Sequence, residues 1–346
     1  MGLLDEIFEQ PAVLSRLLSE QMGGVRRVAE VIRQRKIDYV FIAARGTSDH
    51  AALYAKYLWG AFNGLPVALA TPSLFTIYQR PPRLRNALVM GISQSGQSPD
   101  INGVIVEGRR QGALTLAVTN NVSSPLAVNA EYVLDINAGQ EKAVAATKTY
   151  TAQLMTLAML SAALNDDCEE RIAALRRVPE AARLVLETNA DAMHRVERYR
   201  YMLRCVVLGR GFNYATAFEW ALKLKELTYI IAEPYSTADF RHGPIAMIEP
   251  GFPVLAIAPR GAVLVDVREL LGRLIDEKKA ELVVISDDDD TLSLTHTSFH
   301  LPGGLPEWLT PLVSIIPGQL FCYHLAMAKG HDPDSPRGLT KVTSTV

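Results

Sequence analysis

The sequence predicts an α/β protein made of two similar halves, each with a parallel β-sheet covered by helices. Short apolar runs alternate with helical stretches along the chain, which is typical of parallel strands buried on both faces. The glycine turns that end these runs recur at one interval: 211 − 46 and 261 − 96 both give 165 for the pairs Gly46/Gly211 and Gly96/Gly261. The 346 residues exceed what one hydrophobic core usually serves, so two domains are expected.

The first half begins with an amphipathic helix and continues as alternating strands and helices. Each predicted strand is an apolar run that ends in a turn rich in glycine, serine or asparagine. The predicted elements are helix 13–35, strand 39–44, helix 50–62, strand 87–92, helix 101–111 and strand 114–118. The first strand ends in Arg45-Gly46-Thr47-Ser48, and the second enters the serine loop Ser93-Gln94-Ser95-Gly96-Gln97-Ser98.

The second half repeats this plan. Its predicted strands are 205–208, 253–258 and 281–285, and a long helix over 214–231 follows the Gly209-Arg210-Gly211 turn. We expect N-terminal helices and a first domain over residues 1–165, a helical connector over 166–200 and a second domain over 201–330. The tail over 331–346 is rich in proline, glycine and aspartate and is expected to be loop or extended chain.

Composition excludes several classes of protein. Hydrophobic residues make up 49% of the chain and charged residues 21%, and the net charge is −2, so a disordered chain or a nucleic-acid surface is not expected. Three scattered cysteines without a Cys-x-x-Cys pair predict neither disulfides nor a thiolate zinc site. The acidic N-terminus does not resemble a signal peptide, and the apolar run 154–164 is too short to span a membrane. A cytoplasmic protein is therefore expected.

The loop Ser93–Ser98 is a candidate anion site. Ligands of open parallel sheets bind outside the carboxyl ends of the strands, where serine hydroxyls, backbone N–H groups and a helix N-terminus act as donors. The alternative is that Ser98, followed by Pro99, only caps the next helix, and the spacing leaves both interpretations open. Gly46-Thr47-Ser48 has the same position and the same ambiguity. Two hydroxyl-rich loops at one sheet edge favour an anion, and phosphate is the expected one.

The predicted helix 214–231 carries a charged stripe. Glu219, Lys223, Glu226 and Ile230 follow i, i+4, i+7 and i+11 spacing, which places them on one face. A carboxylate there is able to move a proton next to a carbonyl, with the lysine neutralising charge. A solvated salt-bridge face is the alternative. The apolar residues around the stripe favour a face that borders a cleft.

Histidines give a weaker signal. His242 follows Arg241 and precedes Gly243-Pro244, so it is predicted on a loop, open to solvent or ligand. His296 and His300 have the spacing of metal ligands on a helix, but their segment is strand-like. The run 287–290 of four aspartates is expected to be a solvated loop, with a calcium site as the alternative. We therefore predict no metal and no cofactor.

At this point the sequence resembles a known family, the double sugar isomerase (SIS) domain proteins. The motifs occur in the order seen in the isomerase half of glutamine–fructose-6-phosphate aminotransferase (glucosamine-6-phosphate synthase). These motifs are Arg45-Gly46-Thr47-Ser48, Ser93 to Ser98, Asn137-Ala138-Gly139, Val144 to Thr149, Ala221 to Glu226, Arg241-His242-Gly243-Pro244 and Pro336 to Lys341. The resemblance covers nearly the whole chain and implies two flavodoxin-like α/β/α sandwich domains with parallel sheets.

The resemblance also implies roles for residues. Glu226 is expected to move a proton between C1 and C2, with Lys223 beside it. His242 is expected to assist ring opening and to reach the site of a second subunit, which implies a homodimer. Lys341 is expected to approach the C2 carbonyl and to be able to form an imine. The residues expected to hold the sugar phosphate are Gly46, Thr47, Ser48, Ser93, Gln94, Ser95, Ser98, Val144 and Ala145.

The departures from the family pattern bear on the reaction. Arg45 stands where the synthase has cysteine, Thr340 replaces an alanine, and Trp220 replaces a glycine and is expected to narrow or reshape the sugar pocket. The sequence shows no glutamine-hydrolysing domain and no N-terminal cysteine nucleophile, so we expect it not to take ammonia from glutamine by itself.

The leading hypothesis is an amino-sugar phosphate isomerase/deaminase that interconverts glucosamine 6-phosphate with fructose 6-phosphate and ammonia. One alternative is an ammonia-dependent, synthase-like isomerase subunit, with or without a separate glutaminase partner. A deglycase or deaminase of another ketosamine phosphate is a second alternative. A non-catalytic sugar-phosphate sensor is the third, but a sensor does not need Glu226, His242 and Lys341. No partner other than the substrate and a second copy of the chain is otherwise expected.

Overall fold

The structure, a computed structural model, describes residues 2–341. The strands are β1 Tyr39–Ala43, β2 Val67–Leu69, β3 Ala87–Ser93, β4 Leu114–Thr119, β5 Tyr132–Asp135, β6 Arg204–Gly209, β7 Ile231–Ser236, β8 Pro253–Ile257, β9 Glu281–Ser286 and β10 Thr297–His300. The tail predicted over 331–346 is described up to Lys341, so its last five residues, 342–346, lie outside the described residues.

Helices alternate with these strands. They are α1 Leu3–Phe8, α2 Gln10–Gln34, α3 Thr47–Asn63, α4 Ser73–Thr76, α5 Pro99–Arg110, α6 Pro125–Asn129, α7 Lys148–Ala163, α8 Cys168–Leu175, α9 Val178–Thr188, α10 Ala192–Val196, α11 Tyr214–Thr228, α12 Thr237–Phe240, α13 Leu264–Asp276, α14 Asp289–Leu292 and α15 Pro311–Ala328. Short 3₁₀ turns lie at Glu197–Tyr199, Gly211–Asn213, Pro244–Met247 and Glu307–Leu309. The segment 166–200, predicted to be helical, consists mainly of α8, α9 and α10.

Two five-stranded parallel sheets confirm the predicted fold class. The first sheet has the order β2-β1-β3-β4-β5 and the second the order β10-β9-β8-β6-β7. All the neighbouring strands pair in parallel. The strands that the sequence predicted in each half are the central ones, because these are apolar on both faces; all seven residues of β3 are buried. The four edge strands add to them on either side.

The chain forms two compact units. The first unit contains the first sheet and consists of Ala12–Glu141, Lys148–Arg176 and residues 340–341. The second unit contains the second sheet and consists of residues 2–11, Lys142–Thr147 and Arg177–Leu339. Each unit therefore draws on segments that are distant in sequence. The boundaries predicted at residues 165, 200 and 330 remain a prediction.

Helix α15 forms the centre of the second unit. It is long and apolar enough to cross a membrane, but 78% of its length is buried inside the protein. Within this unit it packs against α9, α10 and α11. Trp220 of α11 lies fully buried against Gly318 and Phe321 of α15. The Trp220 ring is therefore part of the core, and the expectation that it narrows or reshapes a sugar pocket stays a prediction.

Helix α11 ends earlier than the sequence predicted. It stops at Thr228 because Tyr229 adopts a left-handed conformation with φ of 58°, and β7 begins at Ile231. Ile230 thus lies beyond the helix and does not continue the charged stripe.

Candidate active site

The serine loop of the first unit follows β3 directly. Ser93 Oγ accepts the Gly96 N–H at 3.1 Å, and Ser95 Oγ accepts the Gln97 N–H at 3.3 Å. Gly96 has φ of 64° and approaches Ser124 so closely that a Cβ atom would collide with its hydroxyl. Only glycine fits this tight turn without strain. The loop is thus held in one conformation with its N–H groups and hydroxyls at the carboxyl end of the sheet.

Ser98 bears on the choice between capping and anion binding. It occupies the N-cap position of α5, with Pro99 at the first helical position, as the sequence predicted. Its hydroxyl makes no capping hydrogen bond. Ser124, by contrast, caps α6 by accepting the Ala127 N–H. Capping therefore does not account for the side chain of Ser98, and anion binding at this helix N-terminus stays a prediction.

The second hydroxyl loop, Gly46-Thr47-Ser48, follows β1, the strand next to β3. Gly46 has φ of 53°, and α3 starts at Thr47. Ser48 is buried, and its Oγ accepts a hydrogen bond from Nε2 of Gln153 in α7 at 2.9 Å. The structure thus places both predicted loops at one edge of the first sheet. It also shows that Gln153, which the sequence did not single out, orients one hydroxyl.

The charged stripe on α11 is buried in the second unit, so the solvated-face alternative is wrong. The Lys223 Nζ lies 2.5 Å from Glu226 Oε2 and 3.3 Å from Glu219 Oε1. The side chains of Lys223 and Glu219 are 1% and 0% exposed, whereas that of Glu226 is 22% exposed. Of the two carboxylates held by the lysine, Glu226 is the one that solvent reaches.

The two carboxylates set the charge of Lys223. Burial by itself would lower the pKa of Lys223, but Glu219 and Glu226 outweigh burial and raise that pKa above its ordinary value. Lys223 therefore stays an ammonium ion at neutral pH and neutralises negative charge on its neighbours. A buried cation beside a partly exposed carboxylate is suited to proton transfer next to a carbonyl.

His242 lies on an exposed loop of the second unit, as predicted. Within residues 2–341 its imidazole makes no hydrogen bond, and its backbone N–H donates to the Asp239 carbonyl at 3.0 Å. The residue before it, Arg241, is fixed by two hydrogen bonds to Asp266 of α13, one to Oδ1 and one to the backbone carbonyl. The loop is therefore anchored beside the histidine while the imidazole stays available.

The segment that carries Val144 and Ala145 belongs to the second unit. Glu6 of α1 is fully buried, and its carboxylate accepts hydrogen bonds from the backbone N–H groups of Lys142 and Ala143. Ala145 is buried and Val144 is half-buried. Glu6 thus holds the start of this segment in place, a role that the sequence did not indicate.

Lys341 lies in the first unit and has a defined partner. Its Nζ is 2.6 Å from Oε2 of Glu141, whose side chain is 0% exposed. The Glu141 carboxylate also accepts hydrogen bonds from the backbone N–H and the hydroxyl of Thr149, at 3.1 Å and 2.8 Å. Glu141 is the third residue that sequence analysis missed, after Gln153 and Glu6; it adjoins the matched motifs but falls within none of them.

These features define an α/β protein with two repeats, a hydroxyl-lined loop pair in one and a buried Glu-Lys-Glu set in the other. Residues 32–163 and 202–329 each match the SIS domain family. The chain therefore belongs to the SIS domain family, with two copies of the domain.

Known relatives extend this finding. The chain is 36% identical over 347 residues to glutamine–fructose-6-phosphate aminotransferase [isomerizing] of Pyrococcus horikoshii, and the match covers 98% of this chain. It spans only 57% of the length of that relative, which corresponds to the isomerase half.

Two solved structures are similar over nearly the whole chain. The C-terminal domain of glucosamine-fructose-6-phosphate aminotransferase from Francisella tularensis has a TM-score of 0.88 and 27% identity, and the match covers 96% of this chain and 98% of that one. Glucosamine-6-phosphate deaminase from Thermotoga maritima has a TM-score of 0.79, with full coverage of both chains. At 21% identity this second likeness concerns the fold alone.

Proposed function

We propose that this protein is an amino-sugar phosphate isomerase/deaminase that interconverts glucosamine 6-phosphate and water with fructose 6-phosphate and ammonia. The observation that carries the proposal is the buried ammonium of Lys223 held against Glu226, the more exposed of its two carboxylate partners. Membership of the SIS family supports the substrate class.

The proton transfers assigned to Glu226 take place beside the charged amine of Lys223. In the deamination direction the carboxylate takes the proton from C2 of the open-chain sugar, and the C–H electron pair forms a C1–C2 double bond. The π electrons of the C1 carbonyl move to O1 at the same time, and O1 takes a proton from solvent. Glu226 returns a proton to C1, which leaves an imine at C2. Water then adds to the imine and ammonia leaves. Lys223 remains charged throughout and offsets the negative charge that develops beside it.

The other residues have roles at defined atoms. Under the proposal, the hydroxyls of Thr47, Ser48, Ser93, Ser95 and Ser98, with Gln94 and the backbone at Gly46, bind the phosphate. Val144 and Ala145 contact the sugar. His242 protonates the ring oxygen when the ring opens. Lys341 approaches C2 and supplies an amine that is able to form an imine.

The role of Glu226 is tested by replacing it with its neutral isostere. Glu226→Gln should lower the turnover of glucosamine 6-phosphate by about 10²- to 10⁴-fold, the usual contribution of a general base. The dissociation constant of fructose 6-phosphate should change less than threefold. Glu233→Gln, at an exposed position of β7, is the matched control and should keep full activity. Undiminished turnover in Glu226→Gln would show that Glu226 is not the base that moves the proton.

We also propose a homodimer in which His242 of one chain serves the other. Mixing Glu226→Gln with His242→Gln subunits tests it. If His242 acts in trans, the mixed dimer carries one intact site, and random mixing should restore about a quarter of the wild-type activity. If His242 acts within its own chain, both sites in the mixed dimer stay damaged and no activity returns. A monomeric active enzyme would also contradict the proposal.

The sequence identity to aminotransferases favours a second candidate function. This is the reverse reaction, in which fructose 6-phosphate and ammonia form glucosamine 6-phosphate. The ammonia is then either free in solution or delivered by a separate glutaminase. Measuring both directions with purified protein, with ammonium chloride and with glutamine, separates the two. Synthesis from ammonium but not from glutamine indicates the ammonia-dependent subunit. The cytoplasm remains the expected location.

A further inference from the structure

Arg45 connects the two hydroxyl loops of the first unit. Its backbone carbonyl accepts the Ser48 N–H at 3.1 Å, so it forms the start of the Gly46–Ser48 turn. Its side-chain Nε donates to Oδ2 of Asp100 at 2.8 Å. Asp100 lies in the first turn of α5, two residues after Ser98. The guanidinium of Arg45 is therefore placed beside the helix turn that the serine loop enters.

Only part of this guanidinium is engaged. The Asp100 side chain is 1% exposed and fixes the Nε edge, whereas the Arg45 side chain is 51% exposed. In the part of the chain that the structure describes, neither terminal nitrogen of Arg45 donates a hydrogen bond. The planar fork of an arginine matches the oxygens of a phosphate, and an anchored fork loses little rotamer freedom when it binds.

The second unit supplies an internal comparison. Arg210 also precedes a glycine turn, 165 residues after Arg45 (210 − 45), and its Nη1 donates to Asp266 of α13 at 2.5 Å. Here the carboxylate is shared, because Asp266 also accepts hydrogen bonds from Arg241 at 2.5 Å and from Thr237 at 3.2 Å.

In the second unit, a glutamate side chain occupies the turn at Gly261, which corresponds to the serine loop. The Ala262 N–H donates to Oε2 of Glu307 at 2.7 Å, and a Cβ atom at Gly261 would collide with that carboxylate. Among residues 2–341, no carboxylate accepts a hydrogen bond from the Ser93–Ser98 loop. Among the described residues, the serine loop of the first unit therefore has no carboxylate bound to it, and Arg45 beside it is held only through Nε. The corresponding loop of the second unit is bound by the carboxylate of Glu307.

We propose that Arg45 binds the phosphate of the sugar phosphate together with the Ser93–Ser98 loop, and that Arg210 binds none. The inference rests on the proposed function only in placing the phosphate at this loop. Serine hydroxyls and backbone N–H groups carry no net charge, and the buried Asp100 carboxylate next to them opposes a doubly charged ester. Arg45 cancels that carboxylate and presents its free N–H groups to the phosphate. Arg45 thus supplies the charged N–H donors that the loop itself lacks.

The test measures the binding of inorganic phosphate and of fructose 6-phosphate by calorimetry, without turnover. Arg45→Gln should raise both dissociation constants at least tenfold, and Arg210→Gln should leave both within twofold. Because Arg45→Gln leaves the buried Asp100 carboxylate without its ion-pair partner, the same substitution is also made in an Asp100→Asn background. A direct contact predicts that Arg45→Gln still weakens phosphate binding at least fivefold in that background.

Two results would overturn the proposal. One is a change of less than twofold on Arg45→Gln in the Asp100→Asn background, which would reduce Arg45 to a partner of Asp100. The other is a wild-type protein that binds neither phosphate nor fructose 6-phosphate. A failure of the proposed reaction is distinguishable, because it leaves Arg45-dependent phosphate binding intact while glucosamine 6-phosphate is not turned over.

Discussion

The amine of Lys341 lies 2.6 Å from Oε2 of Glu141, a fully buried carboxylate that Thr149 holds by its backbone N–H and its hydroxyl. A buried carboxylate bound in this way has little freedom to move, so it fixes where the lysine amine rests. The last described residue of the tail is therefore tied to the start of α7.

Glu141→Gln tests the importance of this ion pair. The amide keeps the size of the side chain but removes the charge that holds Lys341, so turnover should fall at least tenfold if the lysine acts on C2. Steady-state kinetics with glucosamine 6-phosphate measures it. Glu131→Gln, which breaks an exposed pair with Arg35, is the control and should leave turnover unchanged. Full activity in Glu141→Gln would show that the pair does not serve the reaction.

A second prediction concerns how Tyr229 fixes the tail. Its hydroxyl accepts the Arg337 N–H at 2.9 Å, and the guanidinium of Arg337 lies 4.0 Å from its ring centroid. Tyr229→Phe removes the hydrogen bond and keeps the ring, which costs about 1 kcal/mol.

The measurement for Tyr229 is hydrogen exchange at the Arg337 amide. This amide should exchange about fivefold faster in Tyr229→Phe, since 1.4 kcal/mol corresponds to tenfold. Tyr235→Phe, in β7, should leave the Arg337 amide unchanged. Equal protection in wild type and Tyr229→Phe would mean that the hydrogen bond does not hold the tail.

A third prediction concerns the packing of α15 on α11. A Cβ atom at Gly318 would lie 3.0 Å from the Trp220 indole, which is buried and packs edge-on against Phe321. Gly318→Ala should therefore lower the free energy of unfolding by about 1–3 kcal/mol. Gly272→Ala, in α13 with open space around it, should instead raise stability by about 0.5–1 kcal/mol. Urea denaturation compares them, and equal effects of the two substitutions would contradict the packing argument.

A fourth prediction concerns pH. Burial raises the pKa of Asp266, but its hydrogen bond to Arg241 and the charges of Arg210 and Arg241 outweigh burial and lower that pKa. A lowered folded-state pKa contributes stability that is present above the ordinary aspartate value, about 3.9, and is lost as pH falls through the folded value. Asp266→Asn should cost about 1 kcal/mol at pH 7, because the site is partly exposed and screened.

The check on Asp266 is urea denaturation at pH 7 and near pH 3. The difference between wild type and Asp266→Asn should shrink at the lower pH. Asp290→Asn, at an exposed position, should change stability by less than about 0.5 kcal/mol at both values. If the difference in the free energy of unfolding between wild type and Asp266→Asn grows as the pH falls, the prediction is contradicted.

The fold was largely predictable because its central strands are continuous apolar runs that end in glycine turns. The edge strands were harder to predict. β2 has three residues and β5 is only partly buried, so neither gives a strong apolar run. The end of α11 depends on one backbone angle at Tyr229, a residue that does not favour the left-handed conformation.

The candidate site was predicted where the residues are close in sequence and missed where they are distant. The spacing of Glu219, Lys223 and Glu226 placed them on one helix face, although burial had to come from the structure. Gln153 is 105 residues from Ser48, and Glu141 is 200 residues from Lys341. No local pattern marks such pairs, because they form only when helix α7 packs against α3 or when the tail returns to the start of α7.

The way in which residues 2–11 complete the second unit limits how this protein can be divided. Leu3 and Ile7 are buried there, Glu6 holds the Lys142 and Ala143 amides, and the Gln10 amide donates to Gln319 of α15 at 2.8 Å. A gene fragment that encodes only residues 177–339 would lack these contacts and expose part of its most apolar helix. The second unit is therefore not expected to fold from its C-terminal segment alone. If the gene is split between the repeats, the C-terminal product should be soluble only when the N-terminal helix is supplied with it.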